Sequence, residues 1–140
     1  MKISSVILLQ INGWTAVLIG SLILIDPVGM FSTYGLQSNL SSGLLSELRA
    51  PGGLLLACGI IIIRNTLREE LYEFGLQLSI MVYGGYGFSR LLSFAFDGAP
   101  PIEIMFATVI ELMLCLLSML VLWKRQKNSG FSKETPSAVA

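Results

Sequence analysis

Histidine is absent from the 140 residues. That removes the commonest metal ligand, the usual general base near neutral pH and the usual axial ligand for haem. Cysteine is scarce: Cys58 and Cys115 stand alone, each inside an apolar run and with no paired spacing. Neither a zinc site nor a disulfide framework follows from them, and both read as small packing hydrophobes. Charge is also scarce, at 13% of the residues, against roughly 25% in an ordinary soluble domain. A short chain has much surface for its volume, so this little charge would leave wide apolar patches open to water. The formal net charge is zero and the basic residues are dispersed, which argues against a nucleic-acid-binding face. No metal cage, cofactor motif or catalytic nucleophile motif is legible.

Apolar residues are what the chain has in plenty, at 54% of the sequence with a mean hydropathy of +0.74. They gather in four runs, at residues 6–25, 44–63, 74–96 and 101–123. Each holds about 20 residues or more, enough to cross a hydrocarbon core of ~30 Å at ~1.5 Å per residue. The runs lack the alternation of a barrel wall, and only helices otherwise satisfy their own backbone groups in lipid. The expected fold class is therefore all-α, an integral membrane four-helix bundle. It forms one domain over residues 1–125, and 126–140 form a flexible polar tail. A cleavable signal peptide is set aside for the first run, which exceeds the ~7–15 apolar residues of such peptides. That run also ends in Asp26-Pro27 without a small-x-small site.

Seven of the nine basic residues are Lys2, Arg64, Arg68, Lys124, Arg125, Lys127 and Lys133. They occupy the start, the connection between the second and third runs, and the tail, so the positive-inside rule makes both termini cytoplasmic. The connections from Asp26 to Gly43 and from Asp97 to Pro100 carry no Lys or Arg and face the other side. In the first of these, Asp26 offers an N-cap, Pro27 a first helical residue and Gly35 a stop. A short interfacial helix over 27–34 is expected. Gly13 and Gly20, one heptad apart, with Gly52, Gly53, Gly59, Gly84, Gly85 and Gly87, read as close-packing positions between helices in lipid.

The remaining ionisable groups carry the functional argument. Glu47 and Arg49 open the second run, Arg90 and Asp97 close the third, and Glu103 and Glu111 lie on the fourth. On the orientation above, all fall in the outer half of the bilayer or at its edge. A lone charge at mid-membrane costs a few kcal/mol, about 3 or more, so such groups pair or face water. Glu111 lies about 15 Å beyond Pro101 along a helix and most needs a partner; Arg90 can reach its depth. Glu47 and Arg49, about 200° apart on one helix, point at different neighbours. Glu103 complements the dipole of the last helix. Pro51 frees the carbonyl four residues back, or marks the start of the regular helix. Tyr83, Tyr86 and Trp14 pack in the core or line the same pocket, and Trp123 stands where an interfacial aromatic belongs.

These residues carry a resemblance. Glu47-Leu48-Arg49-Ala50 before Gly52-Gly53, then Gly87-Phe88-Ser89-Arg90, Asp97-Gly98-x-Pro100 and Glu111 resemble a bacterial four-helix membrane family, domain of unknown function 4345. The likeness runs from the first run to about Trp123, and Pro51 stands where that family often has an aromatic. It implies the four-helix fold and a multi-pass location in the inner (plasma) membrane, without an established activity. It also implies that Glu47, Arg49, Arg90, Asp97 and Glu111 form one constellation.

Three functions remain open at this point. The first is a small accessory or structural membrane subunit, its charges fixing helix register and docking a membrane partner or a second copy. The second is binding or transport of a small ligand, ion or proton through an outer-leaflet Arg/Glu pocket, since arginine suits carboxylate and phosphate. The third, an enzyme acting on lipid or quinone, is the least favoured. No cofactor is expected, and the lipid bilayer is the one partner all three share.

Overall fold

The structure, a computed structural model, describes residues 3–32, 34 and 39–131, with side chains to Asn128. Lys2, Gly35, Lys133 and most of the expected tail thus lie outside the described residues. Five α-helices follow in order: α1 (Ile3–Ile25), α2 (Pro27–Ser32), α3 (Ser42–Thr66), α4 (Tyr72–Asp97) and α5 (Ile102–Phe131). A 3-10 turn, Glu69–Leu71, joins α3 to α4, and no strand occurs among the described residues. Among the described residues, three helices are long and apolar enough to cross a membrane: α1, α3 and the Ile102–Asn128 stretch of α5. α4 matches them in length at 26 residues, but Glu73, Arg90 and Asp97 interrupt its apolar run.

Local chemistry sets the ends of these elements. Asp26 caps α2, its Oδ1 accepting from Gly29 N–H at 2.8 Å, as the Asp26-Pro27 pair predicts. Ser41 caps α3, accepting from Leu44 N–H at 3.3 Å. Gly98 closes α4 at φ 93, a left-handed backbone that a side chain would strain, and the chain turns straight into α5. The helix α5 continues to Phe131, so residues 126–131 are helical where a flexible tail was expected. Arg125 supplies a reason, since it reaches back to α4 and the preceding turn: its Nε meets Glu73 Oε1 at 3.0 Å and its Nη2 lies 4.0 Å from Glu69. Its guanidinium also covers the Tyr72 ring at 5.2 Å. Pro51 sits inside α3, which runs through it without a break; the alternative of a helix starting at Pro51 is not what the chain does.

The four long helices pack side by side, α1 most closely on α3 and α4 on α5, with α3 and α4 meeting more loosely. Glycine makes the α1–α3 seam. A Cβ on Gly20 would stand 2.5 Å from Leu56 N, and one on Gly59 2.7 Å from Val17 N. Gly13 and Gly52 complete the ladder, so two glycines seven apart on α1 meet two glycines seven apart on α3. Gly53 and Gly85, expected to act alike, do not: neither would bring a Cβ within 3.4 Å of a neighbour.

The outer surface departs from that of a soluble globule. Asn12, Ser79 and Ser118 are fully buried, while Met81, Phe88 and Phe106 are more than half exposed. Leu9, Ile62 and Leu76 are buried too, so the interior mixes apolar and polar groups; many large apolar side chains facing outward suit a lipid solvent, where apolar contact gives no reason to hide. Trp14, expected in the core or a pocket, is 60% exposed on the outer face of α1. Its neighbour Gly13 takes the α3-facing position, and one residue of helix turns the ring about 100° away.

Candidate functional site

A cavity of about 430 Å³ lies among α1, α3, α4 and α5, with Met30 and Phe31 of α2 contributing to its wall. Most of its lining is aliphatic or aromatic. Its polar groups include Thr15, Tyr83, Tyr86, Arg90 and Glu111. Arg90 Nε donates to Glu111 Oε2 at 3.0 Å, with the two side chains 31% and 16% exposed. Two features of the sequence bring this pair together. The Gly98 turn folds α5 back along α4, so residues 21 apart face each other. Gly87, three before Arg90, lets Leu112 approach so closely that a Cβ there would stand 2.7 Å from Leu112 Cδ2. Leu112 follows Glu111, so the seam that Gly87 opens carries the carboxylate to the guanidinium.

The pair is neutral as a unit, which is how two charges persist at such a position: separated, each would be uncompensated in an apolar wall. Only Nε of Arg90 is engaged; among the described residues its two terminal nitrogens meet no acceptor, and Glu111 Oε1 meets no donor. Four N–H donors and one carboxylate oxygen are thereby left for something else. Tyr83 ties this wall to the interior, its hydroxyl donating to the Asn12 carbonyl.

Of the five residues the sequence singled out, the structure brings together Arg90 and Glu111 and holds the other three elsewhere. Arg49 Nε donates to the Leu24 carbonyl at 3.0 Å. Leu24 lies in the last turn of α1, where carbonyls have no partner in their own helix, so Arg49 closes the end of α1. Asp97 accepts from Ser93 Oγ at 2.8 Å on the exposed end of α4. Glu47 is exposed near the start of α3. Asp97, seven residues beyond Arg90, keeps nearly the same face of α4 but lies about 10 Å farther along it, while Glu47 and Arg49 sit near the start of α3. Tyr83, Tyr86 and Pro51 do line the cavity.

A second polar group was not singled out in the sequence. Asn12 Nδ2 donates to Ser79 Oγ at 3.1 Å and to Ser118 Oγ at 2.9 Å, joining α1, α4 and α5 at one point. Ser118 in turn donates to the Leu114 carbonyl at 2.7 Å. Asn12 Oδ1 is buried with no hydrogen-bond partner among the described residues. The signal was there: uncharged polar residues inside apolar runs seek partners in lipid as charged ones do.

Three long apolar helices, with large apolar side chains facing outward, mark a protein of the membrane class, all-helical apart from its connections among the described residues. Within it, the chain belongs to the family described as domain of unknown function 4345, whose profile matches residues 5–122. Comparison with curated proteins and with solved structures returned no match.

Proposed function

We propose that the protein is a four-span membrane protein, with both termini cytoplasmic, that binds a small lipophilic molecule in the 430 Å³ cavity against Arg90 and Glu111. One observation carries this reading: an ion pair with unused donors and an unused acceptor stands on the wall of a largely apolar cavity. The volume falls within the ~300–1,000 Å³ of small-molecule sites, which are mostly apolar with a few placed polar groups. The pair lines a cavity instead of the outer surface, and that sets binding above an accessory subunit whose charges dock a partner. The dispersed basic residues support the orientation, which puts the cavity in the half of the membrane away from the cytoplasm.

Native mass spectrometry of protein released from nanodiscs tests the reading. The wild type is expected to carry a bound small molecule, and Arg90→Gln and Glu111→Gln to lose most of it while eluting as folded protein. Equal occupancy in all three would reject it. A reporter fused after the last residue, active only outside the cytoplasm, should stay silent; an active reporter would reverse the orientation.

A further inference from the structure

The cavity has a neighbour. Where α3 and α4 pack loosely, a groove of about 660 Å³ runs between them, almost wholly apolar. Pro51, Leu55, Val82 and Tyr86 line both spaces, so a single wall of four side chains stands between groove and cavity. The far side of the groove is open: Leu54 and Met81 are 69% and 72% exposed, and a Cβ on Gly85 would meet nothing within 4 Å. In a bilayer, that opening faces hydrocarbon.

The electrostatics at the inner end select what can be held there. Arg90 and Glu111 already cancel, so a charged head group would add an uncompensated charge at membrane depth. The groups left over are guanidinium donors and one carboxylate oxygen. A hydroxyl accepts from the first and donates to the second, and a carbonyl accepts from the first. An apolar groove open to lipid, separated by four side chains from a neutral pair of this kind, fits a molecule with one uncharged polar end and one long apolar end.

Building on the binding reading above, we propose that the ligand is an uncharged single-chain amphiphile. Its hydroxyl or carbonyl head sits against Arg90 and Glu111, and its chain passes Tyr86 into the α3–α4 groove and out to the bilayer. The molecule is therefore loaded sideways from the membrane.

Photo-crosslinking in nanodiscs tests this, using hexadecanol and hexadecyl sulfate that carry the same diazirine at the end of the chain. Hexadecanol should label residues 51–58 and 81–89 of the wild type about tenfold more than the sulfate does, a difference of about 1.4 kcal/mol in affinity. Glu111→Gln leaves Arg90 with an uncancelled positive charge and should turn the preference toward the sulfate. Gly85→Phe, whose ring enters open space, should fold normally and lose groove labelling. Equal labelling of the wild type by both probes would overturn the uncharged head, and groove labelling that survives Gly85→Phe would overturn the route. In either case a molecule found in the cavity by native mass spectrometry would leave the binding reading standing. If neither probe labels and no molecule is found, both proposals fall.

Discussion

Gly20 of α1 faces Gly52 of α3 so closely that a Cβ on Gly20 would stand 2.7 Å from the Gly52 carbonyl oxygen. The nearest atoms to that position are all α3 backbone, which no rotamer change can move. Gly20→Leu must therefore push the helices apart, at a cost of ~1–3 kcal/mol or more. Thermal unfolding in detergent should show a lowered midpoint. Gly85→Ala, with open space at its Cβ, should be neutral or stabilising, since alanine favours helix over glycine by up to ~1 kcal/mol. Equal loss at both positions would remove the ladder from its structural role.

The Arg90–Glu111 pair should show strong coupling in stability. Arg90→Ala leaves a carboxylate without its partner and is expected to cost ~3–5 kcal/mol, whereas an apolar pair of similar volume at both positions can be nearly neutral. In a double-mutant cycle, Arg90→Met with Glu111→Leu should recover most of what Arg90→Met alone loses. Additive losses would show that the two side chains do not depend on each other.

Asn12 joins three helices through two hydroxyls. Side-chain hydrogen bonds in membrane proteins average ~0.6 kcal/mol and reach ~1.7, so Asn12→Ala should cost ~1–2 kcal/mol. Ser79→Ala and Ser118→Ala should each cost less than Asn12→Ala. An Asn12→Ala midpoint equal to wild type would reduce the network to a packing detail.

Arg49 satisfies the end of α1, and a cation near a helix C-terminus contributes ~0.3–1 kcal/mol at an exposed site. Arg49→Met should lower stability by no more than that, while Arg49→Lys should keep part of the effect. Backbone hydrogen exchange is expected to quicken in the last turn of α1 in Arg49→Met and nowhere along α5. Uniform exchange changes would place Arg49 in a different role.

Much of the architecture was legible because apolar runs are long and their interruptions sharp. Asp26-Pro27 and the Asp97-Gly98 turn carried their own chemistry, and both stand where expected. The Arg90–Glu111 contact was legible from depth alone, because counting residues from each helix end brings both groups to a similar level. What counting cannot supply is how far each helix is rotated about its axis. That rotation sent Arg49 to Leu24 and Trp14 to the outer face, whereas Asp97, two turns beyond Arg90 on the same helix, is held by Ser93 at the end of α4. Asn12, Ser79 and Ser118 were passed over because they carry no charge, although lipid constrains them by the same rule.

The Gly98 turn also bears on how the protein reaches its place. α4 by itself is a poor candidate for independent insertion, with three ionisable side chains along its length. Folded against α5 as a helical hairpin, it presents Arg90 already neutralised by Glu111. On the proposed four-span arrangement, inserting the two helices together would spare the bilayer a bare guanidinium, and the short link between them keeps the couple adjacent as it enters.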